Sequence, residues 1–147
     1  MDAGENQVAA VELDVREQLL HAAVDSFATF GFEGTSLRQV AQRAGVAFQL
    51  ISYHFGSKED LWLAAVDQLF AERVREAKTT YSPVRDFEKQ LRNWLSIAFR
   101  FSIQEPQLRK IVCQEQLACS QRFERHLQPR LREATPYFNY FFEQARQ

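Results

Sequence analysis

The chain has 147 residues, a net charge of −1 at pH 7 and 46% hydrophobic residues, a composition typical of a folded globular protein and not of a disordered or fibrous one. It lacks the roughly 18 consecutive apolar residues of a membrane span, and residues 1–12 lack the basic start and apolar stretch of a signal peptide. We therefore expect a cytoplasmic protein that does not contact a membrane.

The charge is unevenly distributed along the chain. Residues 1–60 carry four basic residues against nine acidic ones, whereas residues 61–147 carry fourteen basic and ten acidic ones. The bulk charge of the first part therefore gives no support for nucleic-acid binding, and such a function would depend on where individual cations lie.

The chain is predicted to be all-α, because apolar residues recur at helical spacing and period-two strand patterns are absent. A first helix is expected from Asp14 to Phe30, ended by Gly31 and preceded by a flexible arm at residues 1–13. The inner face of this helix is expected to carry Leu20, Ala23, Phe27 and Phe30.

Two short helices are predicted next. The first follows Thr35 and Ser36, whose hydroxyls can cap it, and ends at Ala44–Gly45. The second covers Ala47–Tyr53, with two aliphatic side chains inward and Phe48, Gln49 and Ser52 pointing elsewhere. A glycine between such helices accepts the left-handed conformation that lets the second one leave steeply. Together with the preceding amphipathic helix, they form a helix-turn-helix motif.

Ser57 and Asp60 have the spacing of a capping box and predict a long helix that runs to about Lys78. Beyond a loop at residues 80–83, helices are expected at 84–104, 106–119, 121–127 and 136–146, and the prolines at 106, 129 and 136 mark starts or kinks. Cys113 and Cys119 lack zinc-ligand spacing and are expected to be buried reduced thiols, a redox-sensing pair being the alternative.

The stretch Arg16 to Leu61 resembles the amino-terminal domain of the TetR (tetracycline-repressor) family of transcriptional regulators. The matching landmarks are Ala22-Ala23, Phe27, Gly31, Thr35-Ser36, Val40-Ala41, Ala44-Gly45-Val46, Tyr53-His54-Phe55 and Ser57-Lys58-Glu59. Two positions depart from the family pattern: Ala47 replaces a capping Ser or Thr, at a cost of about 1 kcal/mol, and Ser52 replaces a frequent aromatic. The resemblance implies a three-helix DNA-binding head at 14–60, joined by a long helix to a ligand-binding and dimerisation body at 61–147.

The resemblance also implies which residues contact DNA. Ala47–Tyr53 would be the recognition helix in the major groove, where Gln49 can pair with adenine and Phe48 can pack on thymine methyl groups. The sugar-phosphate backbone would be contacted by Thr35, Ser36, Arg38, Tyr53, His54 and Lys58, and Ala47 and Ser52 complete the expected contact set. The alternatives are that Phe48 packs on protein, that Gln49 and Lys58 are plain surface, and that His54 makes a structural hydrogen bond.

For the body, the resemblance implies a small apolar or aromatic effector, with Trp94, Phe101, Cys113 and Leu117 as candidates to line its site. Trp94 and Phe101 also belong to an apolar stripe at helical spacing, which consists of Phe87, Leu91, Trp94, Ala98 and Phe101. Such a stripe is more often part of the hydrophobic core than of a ligand site. Family members form homodimers through two further helices, so the chain is expected to be truncated, monomeric or heterogeneous in solution, and a weak binder of operator DNA.

Motifs for catalysis are absent from the sequence: there is no Ser/His/Asp set, HExxH or Gly-rich phosphate loop, and His21, His54 and His126 fall on separate elements. We therefore expect no enzymatic activity, cofactor or metal. The predicted function is that of a DNA-binding transcriptional regulator, a repressor that a small-molecule effector releases from its operator. The alternative is a helical protein-interaction module that docks through Phe48 and the aromatic residues of 137–142.

Overall fold

The computed structural model describes residues 3–80, 88–89, 92, 95–96, 99, 103 and 106–134. All regular structure within these residues is helical, which confirms the predicted all-α class. The chain divides into two compact units, Met1–Asp67 and Gln68–Gln147. None of the described helices combines the length and the apolar character that a membrane span requires.

The first helix, α1, spans Ala3–Gly34 and is kinked at Gly31, where φ is 71°. It begins well before the predicted start at Asp14, so residues 3–13 are helical where a flexible arm was expected. Alanine and glutamate recur in this stretch and no proline interrupts it, which favours continuation of the helix. The buried face of α1 carries Leu19, Leu20, Ala23, Val24 and Phe27.

Phe30 does not belong to this buried face, because 48% of it is exposed, and its predicted inner position is wrong. Its ring lies next to the kink, beyond the last buried residues of α1, and carries the guanidinium of Arg43 at 5.2 Å from the ring centroid. The same guanidinium donates to the hydroxyl of Ser26 at 3.4 Å. These contacts tie the last turn of the next helix to α1.

Helices α2 (Leu37–Ala44) and α3 (Gln49–Phe55) are joined by the predicted glycine turn. Gly45 has φ 70° and ψ 25°, the left-handed conformation that was expected there. Its amide donates to the carbonyl of Gln42 at 3.2 Å, and the amide of Val46 donates to the carbonyl of Ala41 at 3.1 Å. The turn therefore satisfies carbonyl groups that the end of α2 would otherwise leave unpaired.

The start of α3 reflects the missing cap at Ala47. The amides of Leu50 and Ile51 donate to the carbonyls of Ala47 and Phe48, each at 3.1 Å, and the residue before the helix makes no side-chain capping bond. Regular helix consequently begins at Gln49 instead of the predicted Ala47. Ile51 is fully buried, as the sequence pattern predicted.

Helix α4 (Lys58–Thr80) opens with the predicted capping box. The amide of Asp60 donates to the hydroxyl of Ser57 at 3.1 Å, and the amide of Ser57 donates to the Asp60 carboxylate at 3.2 Å. The first turns of α4 bury Leu61, Trp62, Ala65 and Val66. The capping box therefore fixes where α4 leaves the turn that follows α3.

The described part of the second unit contains α5 (Pro106–Leu117), a π-helical turn (Phe123–Leu127) and α6 (Gln128–Ala134). Pro129 has no amide hydrogen to donate to the residue four positions earlier, which accounts for the wide turn directly before it. Arg130 donates to the carbonyl of His126 at 2.8 Å and so satisfies one group in the irregular turn.

The connection after α5 is built on a buried carboxylate. Glu115 is only 4% exposed; it accepts hydrogen bonds from the hydroxyl of Ser120 and, at 3.2 Å, from Nε of Arg122. Ser120 also caps the following helical segment, since its hydroxyl accepts the amide of Phe123 at 3.0 Å. The carboxylate thus ties the end of α5 to the start of the next segment.

Both cysteines are exposed, so the prediction of buried thiols is wrong. Cys113 lies on α5 away from the face that buries Leu108, Ile111 and Glu115. Cys119 lies in the turn after α5, with φ 47°. The predicted aromatic stripe from Phe87 to Phe101 and the predicted helix at 136–146 lie outside the described residues.

Candidate nucleic-acid interface

The residues expected at DNA bases lie together at the start of α3. Phe48 is 40% exposed, and Gln49 and Ser52 are exposed as well. Ala47, which precedes them, is also exposed, whereas Ile51 on the opposite side is fully buried. The second helix of the motif therefore presents the expected residues to solvent while its other face holds it in the head.

Each of the four cations in residues 1–60 lies over a phenylalanine ring. The distances from the charged group to the ring centroid are 5.3 Å for Arg16 over Phe55, 5.9 Å for Arg38 over Phe48, 5.2 Å for Arg43 over Phe30 and 4.7 Å for Lys58 over Phe32. Such pairs contribute about 0.5–1 kcal/mol at exposed sites. The few cations of this acidic segment are thus held in defined positions before any partner arrives.

Lys58 lies over a ring that packs against the core of the head. Phe32 stacks on Phe27 with ring centroids 6.0 Å apart and meets the edge of Trp62 at 6.2 Å. Phe27 and Trp62 are fully buried, so the ring under the Lys58 ammonium is anchored in the core of the head. This contact gives Lys58 a structural role in the free protein and keeps its charge at the start of α4.

Thr35 does not have the position expected of a phosphate ligand. It is 4% exposed, and its hydroxyl donates to the carbonyl of Gly31 at 2.7 Å. The acceptor is the residue at which α1 is kinked. The side chain of Thr35 thus holds the entry to α2 together.

The neighbouring Ser36 is exposed, makes no side-chain capping bond and keeps its hydroxyl at the surface.

Tyr53 and His54 lie at the end of α3. Tyr53 is 69% exposed, and its ring meets the half-buried ring of His54 edge-on at 4.9 Å. His54 is followed by Phe55, the ring under Arg16, at 6.3 Å between ring centroids. These contacts line up aromatic and cationic groups at the carboxyl end of α3.

The structure describes two of the four residues expected at an effector site. Cys113 is exposed and Leu117 is 86% exposed on α5, whereas Trp94 and Phe101 lie outside the described residues. An effector site at these residues stays a prediction.

Sequence reasoning did not predict that Arg16 and Arg43 each lie over a phenylalanine ring. Each is joined to a ring on another helix, and no spacing within one helix signals such a pair. The four cations were counted correctly, but their pairing depends on how the helices of the head pack together.

A first helix with one buried face, a left-handed glycine turn and a short second helix with an exposed face together define a helix-turn-helix protein. Comparison with known proteins narrows this class. Residues 19–65 match the sequence model of the family described as bacterial regulatory proteins, tetR family. By this match, the head of the chain belongs to the TetR family, as its landmarks predicted.

Individual relatives agree with this family. The chain is 31% identical over 106 residues to the HTH-type transcriptional regulator RutR of Escherichia coli, covering 70% of this chain and 48% of RutR. It is 27% identical over 118 residues to the HTH-type transcriptional repressor NicS of Pseudomonas putida, covering 80% of this chain and 56% of NicS. The chain thus spans about half the length of these curated relatives, and their names do not favour the alternative of a protein-interaction module.

A solved structure is similar over most of the chain. The crystal structure of a HlyIIR mutant, in which residues 169–186 are substituted by a linker with two thrombin sites, matches with a TM-score of 0.60 and 27% identity. The match covers 91% of this chain and 68% of that one. The all-α architecture therefore has an experimental counterpart.

Proposed function

We propose that this chain is a DNA-binding transcriptional regulator whose head reads an operator with the first residues of α3. The observation that carries the proposal is the exposure of Phe48, Gln49 and Ser52 beside a left-handed glycine turn. In helix-turn-helix proteins, the amino-terminal residues of the second helix contact base edges in the major groove. The family membership and the names of the relatives support the same function.

Phosphate groups would be bound by cations held on aromatic rings. Lys58 lies at the start of α4, and the exposed hydroxyl of Ser36 lies at the start of α2. The amino-terminal end of a helix favours a bound anion. Because the segment 1–60 has a net charge of −5, from four basic and nine acidic residues, nonspecific attraction to DNA is weak. Binding therefore depends on correctly placed single cations more than on overall charge.

The finer parts of the proposal follow from the family. We place the protein in the cytoplasm. The form that binds an operator is a homodimer, because two recognition helices must lie about 34–36 Å apart to read both halves of an operator. Repression is the expected outcome, since occupying a promoter suffices for it. A small molecule bound by the helical body would release the protein from DNA.

The proposal is tested by comparing two variants on selected and random DNA. Lys58→Ala should weaken binding to all sequences alike and reduce the salt dependence by about one unit, since it removes one phosphate contact. Gln49→Ala should cost about 1–3 kcal/mol mainly on the selected site, since it removes a base contact. Fluorescence anisotropy over a range of salt concentrations measures both effects.

Ser36→Ala serves as a matched control for the loss of a phosphate contact without loss of charge. It should weaken binding to all sequences by a smaller factor than Lys58→Ala and leave the salt dependence unchanged. Equal losses on selected and random DNA for Gln49→Ala would contradict the assignment of α3 to base readout. Absence of salt-dependent DNA binding by the unsubstituted chain, even at low salt, would contradict the function itself.

A further inference from the structure

Two exposed side chains meet across the helix-turn-helix motif. Arg38 is exposed on α2, and Phe48 is 40% exposed directly before α3. The guanidinium carbon of Arg38 lies 5.9 Å from the centroid of the Phe48 ring. The two helices of the motif are therefore linked at the surface where DNA would bind, by one cation and one apolar ring.

We infer that Arg38 and Phe48 act as one recognition unit that reads a guanine next to a thymine. This inference rests on the proposed function and adds the bases that the head selects. It assigns Arg38 to base readout, whereas the sequence alone suggested a phosphate contact. Phe48 has two roles in the unit: it contacts the thymine methyl group, and it positions the guanidinium.

The chemistry of the two groups fits two different bases. The planar guanidinium can donate two parallel hydrogen bonds to O6 and N7 of guanine, the commonest specific contact in the major groove. The phenyl ring offers an apolar surface that suits the C5 methyl group of thymine. Stacking on the ring also limits the rotation of the guanidinium, so less conformational freedom is lost when it binds.

The distance between the two groups sets the spacing of the two bases. Successive bases along one strand are about 3.4 Å apart, and the two groups are separated by 5.9 Å. The pair therefore cannot reach two bases that are three or more steps apart. The edges of neighbouring bases are also displaced sideways, so they lie farther apart than the rise alone. Neighbouring bases therefore fit the separation of the two groups best. The expected site contains thymine and guanine as adjacent bases on one strand.

The experiment begins with the unsubstituted 147-residue chain and a pool of random duplexes. The enriched site is then prepared with deoxyuridine in place of thymine, which removes the methyl group and leaves the base pairing intact. The unsubstituted chain should bind the deoxyuridine duplex about fourfold more weakly than the thymine duplex, the equivalent of one buried methyl group. The Phe48→Ala variant should bind the two duplexes equally, since its side chain no longer contacts the methyl group.

Arg38 is tested by base preference as well as by affinity. Arg38→Ala should lower affinity for the enriched site by roughly 5- to 150-fold and abolish the preference for guanine over adenine at one position. Arg38→Lys should lose the same preference, because it keeps the charge without the planar fork. In the Phe48→Ala background, Arg38→Ala should cost less than it does alone, since the ring no longer positions the guanidinium.

Arg43→Ala is the matched control, because it removes an arginine–phenylalanine pair that joins α2 to α1 and not to α3. It should leave the discrimination between thymine and deoxyuridine unchanged. Circular dichroism establishes that each variant is helical, and Phe48→Leu and Arg38→Lys replace any alanine variant that does not fold.

Two results would overturn the inference, and they are distinguishable. If Arg38→Ala weakens all duplexes equally and reduces the salt dependence by about one unit, Arg38 binds phosphate and the proposed function stands. If the unsubstituted chain enriches no sequence and binds random DNA without salt dependence, the proposed function fails together with the inference.

Discussion

Replacement of Gly45 isolates the conformational free energy of the turn between α2 and α3. Gly45 has φ 70° and ψ 25°, a conformation that costs most L-residues about 1–2 kcal/mol. A Cβ atom at this position would meet no heavy atom within 4 Å, so a substitution adds strain without a steric clash. Gly45→Ala should therefore lower the free energy of unfolding by about 1–2 kcal/mol.

A series of substitutions separates this strain from other effects. Gly45→Asn should cost less than Gly45→Ala, because asparagine visits the left-handed region more readily. Gly45→Val should cost more than either, because β-branched residues are rarest in that region. For a chain of this size, a loss of about 1–2 kcal/mol corresponds to a fall in Tm of roughly 2–8 °C.

Thermal and urea unfolding of the full chain, followed by circular dichroism, measure the series. The DNA affinity of Gly45→Val should also fall, because a strained turn no longer holds α3 at its angle to α2. An alanine variant as stable as the unsubstituted chain, or an asparagine variant less stable than the alanine variant, would refute the left-handed assignment at Gly45.

Three further substitutions test other contacts of the head and of the second unit. Thr35→Val should lower the free energy of unfolding by about 1 kcal/mol, because it removes the hydroxyl that donates to a carbonyl in the kink of α1. It should leave the affinity for DNA unchanged; an equal loss of affinity on all sequences would show that Thr35 binds phosphate after all. Ser57→Ala should cost about 0.5–2 kcal/mol in urea unfolding by removing the α4 cap, and an unchanged midpoint would contradict the capping box. Glu115→Ala should cost about 1–3 kcal/mol, since it leaves Ser120 and Arg122 without their shared acceptor, and a neutral effect would rule out a stabilising role.

The local features of the head could be predicted because each depends on residues close together in sequence. The left-handed turn at Gly45 requires the backbone freedom of glycine, and the capping box needs two suitable side chains three residues apart. The burial of Ile51 and the exposure of Gln49 follow from helical periodicity. These features place Gln49 on the exposed side of α3 and Ile51 on its buried side without knowledge of how the helices pack.

The features that were predicted wrongly depend on contacts between distant residues. Phe30 fits the apolar spacing of α1, but its ring lies next to a kink and carries Arg43. The hydroxyl of Thr35 is a plausible phosphate ligand in the sequence; in the structure it donates to the carbonyl of Gly31, and its contact with DNA stays a prediction. Cys113 was judged by residue type alone, and residue type does not tell which side of a helix is covered.

The position of Trp62 gives the head an optical reporter. Its indole is fully buried and packs nearly at right angles to Phe32, the ring that carries the Lys58 ammonium. Indole fluorescence responds to solvent and to nearby charge, so unfolding of the head and withdrawal of Lys58 towards a phosphate would change the emission in different ways. The sequence contains one other tryptophan, Trp94, and replacing it with phenylalanine would leave a spectrum that comes from the head alone.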